Sequence, residues 1–386
     1  MRIVDVCGFY TPFGGGIRTY IDQKLRIAEQ QGVDITILAP GAREETVDIS
    51  PSARIAYIAS PRFPLDRKYF AFADEAAVHA MLDRLEPDIV EASSPWRSAD
   101  YVASYPVAVP RSLIMHSDPL SAHVYRWFER VVEPPTVDRA FEWFWRRLRG
   151  FGTRFDAVVA ANSDLAARLV VGGVGHVVTL PMGIEKGLFS PARRDEAVRE
   201  RLLATCGMGA EATLLITAGR LATEKRVPLL VEAAMRAGRS RPLGLAIFGE
   251  GRCRDQVLRT IAGNPHIRLF EPIRDRAQFA TILASADALL HGCEAETFGM
   301  IAAEAHASGL PIVAPAAGGV ADFALRDPSL SFRPADAADA TRAILALPSA
   351  RIVRPGTQAA RGMEEHFGDL FAHYRLLTDR RLAVAA

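Results

Sequence analysis

Short apolar runs of four to eight residues alternate with helix-length stretches along this chain, and the rhythm restarts once. In the first half the runs are residues 2–9, 33–40, 54–60, 88–92, 111–116 and 156–161, with helical periodicity over 17–31. They are apolar throughout rather than alternating, which is the demand of a parallel sheet covered on both faces. After about residue 185 the pattern begins again, with runs at 213–218, 243–248, 267–270, 286–291 and 310–314. Between the two series, residues 180–196 (LPMGIEKGLFSPARRDE) carry the Gly, Pro and charge of a linker. A length of 386 residues exceeds one ordinary core and suits two. The expectation is an α/β chain of two doubly wound, Rossmann-like domains, 1–183 and 184–363, facing across a cleft. Ligands of such domains bind beyond the carboxyl ends of the strands.

Charge excludes one class of partner. The net charge of +1, from 46 basic and 45 acidic residues, gives no field for nucleic acid. The four cysteines Cys7, Cys206, Cys253 and Cys293 lie far apart, without CxxC pairs or metal-ligand spacing. Reduced thiols in a cytoplasmic protein with no bound metal are expected. The N-terminus lacks a signal-peptide pattern, and no apolar stretch reaches the length of a membrane span.

Four places carry chemistry. The first is ETFGMIAAE, residues 296–304. Glu296 and Glu304 are eight positions apart, about 12 Å along a helix, and eight steps of about 100° return the second to nearly the same face. Gly299 near the helix start lets an anion approach the backbone. One carboxylate is then suited to hexose hydroxyls and the other to a ribose, with a diphosphate between. The second is TAGRLATEKR, residues 217–226, where Arg220 and Lys225 follow a strand end and Gly219. A guanidinium fork and an ammonium neutralise a departing diphosphate without a general acid. The third is FGGGIR, residues 13–18, where Gly14, Gly15 and Gly16 leave room for a phosphate or sugar, or simply make a turn. The fourth is His116 in IMHSD, placed where a strand ends and able to hydrogen-bond a sugar hydroxyl.

In that order these landmarks resemble glycosyltransferase family 4, retaining enzymes of the GT-B fold. The resemblance takes in GGG at 14–16, His116, Arg220 with Lys225, the E-x7-E box from Glu296 to Glu304, LPMGIEKGLFSP and EAHASGLPIVAPAAGG. Two departures stand out: Arg226 follows the lysine where the family usually has glycine, and Ala-Asp near Asp322 replaces a common glutamate. The resemblance implies a hexosyltransferase using a nucleotide-diphosphate sugar (GDP-mannose or a UDP-hexose), with retention and without a metal or other cofactor. By the same resemblance Glu296 meets the donor sugar and Glu304 the ribose, while Phe298, Gly299 and Met300 line the donor pocket. The donor belongs to the second domain and the acceptor to the first. A final helix, about 364–386, packs back on the first domain.

The acceptor is sought in residues 125–151 (YRWFERVVEPPTVDRAFEWFWRRLRGF). Trp127, Trp143 and Trp145, with Arg146, Arg147 and Arg149, suit the interface of an anionic membrane and a lipid or lipid-linked glycan acceptor. They equally suit a helix packing its aromatics on the core. A nucleotide-sugar epimerase of the same fold and an inactive nucleotide-sugar-binding module are the competing readings.

Overall fold

The structure is a computed structural model that describes residues 1–11, 16–64, 69–116, 120, 134–348 and 361–385. The chain divides into two compact units, one built from residues 1–120, 124–182 and 363–386, the other chiefly from 183–362.

The first unit holds an eight-stranded sheet: β1 (Arg2–Val6), β2 (Asp34–Gly41), β3 (Glu45–Ser50), β4 (Ala53–Ala59), β5 (Ile89–Ala92), β6 (Arg111–Met115), β7 (Ala157–Ala160) and β8 (Val177–Thr179). Their order is β3-β4-β2-β1-β5-β6-β7-β8, and only β3 runs antiparallel to its neighbour. The central strands are buried along nearly their whole length, which is why they read as unbroken apolar runs. β3 and β8 escape that reading because β3 is almost wholly exposed and β8 has three residues.

Two carboxylates interrupt this core. Asp5 and Glu91 are register partners on adjacent parallel strands, so both project from the same face. Lys24, from the helix Gly16–Gln30, lies 3.0 Å from Asp5 and 2.6 Å from Glu91, and all three side chains are fully buried. Ser93 donates to Asp5, and Tyr374 donates to Glu91 while also pairing with Ser112. Tyr374 belongs to the last helix, Met363–Ala385, so the C-terminal segment is pinned to this unit by a buried polar network as well as by Phe367 and Phe371. Burial and the charge of Asp5 push the Glu91 carboxyl up to about 7 despite Lys24.

The second unit holds β9 (Thr213–Ala218), β10 (Leu243–Phe248), β11 (Ile267–Phe270), β12 (Ala288–Leu290), β13 (Ile312–Pro315) and β14 (Ser331–Phe332). All pairings are parallel, in the order β11-β10-β9-β12-β13-β14. Its strand order reverses between β9 and β12, so the crevice at their carboxyl ends is where the topology makes room for a ligand. The two-residue β14 has no sequence signature. The first part of the 180–196 stretch is ordered rather than a loose tether: Ile184 pairs with Gly362, and Phe189 packs edge-on against Phe279. Among the described residues no helix is long and apolar enough to cross a membrane.

Candidate active site

The crevice at the carboxyl ends of β9 and β12 collects Arg220, Lys225 and Glu296. β9 ends at Ala218, Gly219 donates to the Phe248 carbonyl, and the chain turns through Arg220 into a short 3-10 turn, Thr223–Lys225. The Arg220 guanidinium is 73 % exposed and donates to Glu224 at 2.7 Å, four residues on. Lys225 reaches across to Glu296, on the segment that follows β12, and forms a very short ion pair with it. Gly292 makes this approach possible, since a Cβ there would stand 2.7 Å from the Lys225 carbonyl oxygen. Burial opposes charge on both partners, and their mutual attraction wins: Lys225 is held above its ordinary range and Glu296 below.

Glu296 and Glu304 do not share one helix, contrary to the spacing expectation. The helix begins only at Met300 and runs to Ala307, with Gly299 as its N-cap at φ 77°. Glu296 therefore sits on the preceding loop, held where the Gly319 N–H donates to its carbonyl at 2.7 Å. The reason is steric: Gly299 adopts a left-handed conformation, and a Cβ there would meet Val320 at 2.6 Å. Phe298 is buried edge-on to Phe323, and Met300 is half-buried at the first helical position. The helix thus opens onto the loop that carries Glu296, an arrangement suited to an anion. Glu304 lies inside, paired at 2.8 Å with Arg276, whose guanidinium lies 4.9 Å above the Phe189 ring. Burial raises the Glu304 carboxyl in spite of Arg276.

Arg226, where the resembled family has glycine, occupies the left-handed region at φ 47°. Its side chain forks onto Glu294, with Nε 2.8 Å from one carboxylate oxygen. The ion pair offsets the backbone cost, about 1–2 kcal/mol for a non-glycine residue. Arg226→Gly is accordingly expected to be about 1 kcal/mol more stable than Arg226→Ala in urea denaturation, since both lose the pair and only alanine keeps the strain. Equal stabilities would mean the backbone here is unstrained.

In the first unit, His116 follows β6 with its ring edge-on to Tyr20 at 4.7 Å. Burial draws its imidazole down to about 4, so it is neutral at physiological pH. Tyr20 in turn reaches His366 of the last helix at 3.2 Å. Gly16 opens its helix on the exposed surface, with nothing within 4 Å of a Cβ placed there, whereas Gly14 and Gly15 lie outside the described residues.

The aromatic and basic stretch divides. Trp145 is 7 % exposed and donates to Asp138, Arg147 bonds the Pro95 carbonyl and Asp100, and Arg149 bonds the Gly172 carbonyl and Glu142. Burial in the first unit corrects the reading of Trp145 as a membrane-facing group, whereas Arg147 and Arg149, held by these bonds, keep part of their surface exposed. The helix Glu142–Gly152 has one strongly apolar side, and the core takes it. Trp143, 55 % exposed, and Arg146 stay on the surface, and Trp127 lies outside the described residues.

Sequence reasoning missed His291, Cys293 and Arg276. HGCEAE, running directly into the acidic box, was the readable signal for the first two. Arg276 had none, because its partner is 28 residues away. The Asp5–Lys24–Glu91 cluster was also missed, although a carboxylate within an apolar strand run is a signal in itself.

Comparison with known proteins gives the family. Residues 14–187 match the family described as Glycosyltransferase Family 4, and residues 212–349 match Glycosyl transferases group 1. The chain is 27 % identical over 359 residues to the GDP-mannose-dependent alpha-(1-6)-phosphatidylinositol dimannoside mannosyltransferase of Mycobacterium tuberculosis, covering 90 % of this chain and 88 % of that protein. It is 26 % identical to a GDP-mannose-dependent alpha-mannosyltransferase of Corynebacterium glutamicum, over 84 % of this chain and 74 % of the relative. Sucrose-phosphate synthase from Thermosynechococcus elongatus superposes with a TM-score of 0.77 at 19 % identity, over 98 % of this chain and 99 % of the other, a likeness of fold. With both units of the GT-B fold matched and the acidic box in place, the chain is a glycosyltransferase and belongs to glycosyltransferase family 4.

Proposed function

We propose that this enzyme transfers mannose from GDP-mannose, with retention and without a metal, to a lipid or lipid-linked polyol acceptor. One observation carries the reading: Arg220, Lys225 and Glu296 converge beside the helix N-terminus at Met300, at the switch point of the second sheet. Two cations and a helix dipole suffice to offset a departing diphosphate electrostatically. In the resting arrangement Lys225 is engaged by Glu296. A donor diphosphate would draw Lys225 away and leave Glu296 to accept hydroxyl protons of the sugar. The anomeric C–O bond to the diphosphate would then break as the acceptor oxygen attacks on the same face, its proton passing to the leaving phosphate.

Glu304 is assigned to the ribose, which requires Arg276 to yield or to share it. Phe298, Gly299 and Met300 would line the donor pocket. In the first unit, neutral His116 is assigned to a substrate hydroxyl, and Gly15 and Gly16 to close backbone approach. The guanosine and mannose assignments, and the lipid acceptor, are supported by the names of the relatives. Peripheral contact with an anionic membrane would fall to Trp143 and Arg146.

A thermal-shift screen of GDP, UDP, ADP and their sugars, run in EDTA, tests the donor. At about 100 times its dissociation constant a ligand adds roughly 2.7 kcal/mol. GDP and GDP-mannose are expected to raise the midpoint. A shift with UDP compounds alone would replace the base, and no shift with any would remove the donor-site reading.

A further inference from the structure

The residues around Glu296 hold a second chemistry. His291 follows β12 directly, 4 % exposed, and Cys293 lies two residues on, 2 % exposed. A ring nitrogen of His291, the Cys293 sulfur and a Glu296 carboxylate oxygen all lie within 4.8 Å of one another. Nε2 of His291 stands 3.5 Å from Glu296 Oε1 and has no hydrogen-bond partner among the described residues. A buried ring nitrogen aimed at a carboxylate and a thiol is an arrangement without an evident packing purpose, because a buried polar atom is normally satisfied. Neighbouring ligands of a tetrahedral zinc ion stand about 3.3–3.8 Å apart, given bond lengths of about 2.0–2.3 Å. The His291–Glu296 separation already falls in that interval.

We propose that His291, Cys293 and Glu296 bind a thiophilic divalent cation of the Zn2+ class, which takes Glu296 from Lys225 and from the hydroxyls of the donor sugar. On binding, the Cys293 thiol loses its proton to solvent and the thiolate bonds the metal. Nε2 of His291 gives its lone pair, with the ring proton on Nδ1. Glu296 exchanges an ammonium partner for the cation, and water takes the fourth position. Glu296 and Lys225 are each about one-fifth exposed, so the ion reaches the site from their side. The Lys225 ammonium, released from Glu296, is left to a phosphate or to water. Soft and borderline ions are selected by the sulfur and the imidazole, whereas Mg2+ demands oxygen ligands and octahedral geometry. The ion is an inhibitor here and not a cofactor. Metal binding stands by itself, while its effect on the donor sugar rests on the donor-site reading above.

The experiment titrates the full chain, stripped of metal with a chelator, with Co2+ and then with Zn2+ against a chromogenic chelator. Co2+ is expected to produce a thiolate-to-cobalt charge-transfer band. The band should vanish in Cys293→Ser and persist in Cys253→Ser, which removes the half-buried cysteine instead. Zinc affinity should fall in both Cys293→Ser and His291→Gln by more than the roughly 10–100-fold that losing an outer-shell partner costs. No band in the parent chain, a band that follows Cys253, or displacement of Co2+ by equimolar Mg2+ would overturn the site. Stoichiometric zinc should also remove the extra thermal shift that the sugar nucleotide gives over the nucleotide alone, while the shift with nucleotide alone remains. A cobalt band with sugar-nucleotide binding undisturbed by zinc would overturn the loss of Glu296 from the sugar. Absence of nucleotide binding in EDTA would instead tell against the donor-site reading and leave the cobalt result standing.

Discussion

Glu296→Gln should lower kcat/KM by about 100–1000-fold, the range for removing one preorganised electrostatic group from a reacting centre. The substitution keeps the shape of the side chain and deletes its charge. It therefore breaks the ion pair that presents Lys225 and weakens the acceptor of the sugar's hydroxyl protons. Lys225 is exposed enough to hydrate when released, so the fold should survive with little loss. Steady-state kinetics with a varied donor separate the contributions: a fall in kcat with a modest change in KM places Glu296 in the transition state. Lys225→Ala should act mainly on donor KM. Kinetics within about threefold of the parent for Glu296→Gln would mean the reacting centre lies elsewhere in the second unit.

Lys24→Met should destabilise the first unit by about 3–5 kcal/mol, since one partner is removed from a fully buried ionic cluster. For a unit of this size that amounts to a midpoint lower by roughly 6–20 °C. Methionine fills much of the same volume, so the loss reports charge and not a cavity. Two carboxylates then face each other without a counter-charge, and the folded state holds protons on them more tightly than the unfolded chain does. The folded pKa is raised, with Glu91 already near 7 in the parent. Stability of the variant therefore falls as pH rises above about 4.5 and goes on falling past 7, where Glu91 of the parent has already titrated, so its deficit should grow above about pH 7 and shrink below it. Thermal unfolding of parent and variant at about pH 6 and about pH 9 measures this. A deficit under about 1 kcal/mol at the higher pH, or one indifferent to pH, would show that the cluster is not ionised as drawn.

The parallel strands and the two-unit plan were written in the sequence for a simple reason. A strand buried on both faces must be apolar at successive positions, and β9, β10 and β11 fall on the expected residues to the boundary. The exposed β3 and the very short β8 and β14 obey no such constraint and carried no signal. The charged turn after β9 and the acidic stretch after β12 were legible too, because a carboxyl end of a parallel strand followed by glycine and charge is where such folds place their ligands. The sequence by itself thus determined the fold class and the family. Only the tertiary structure decided which charges meet. It moved Glu296 off the helix through the left-handed Gly299, turned Glu304 inward to Arg276, took Trp145, Arg147 and Arg149 into the first unit, and joined Asp5, Lys24, Glu91 and Tyr374 across up to 369 positions of chain. Local spacing governs neighbours on one element, whereas an ion pair is chosen by register between strands and by the packing of helices over them. Those depend on contacts that no window of the sequence contains.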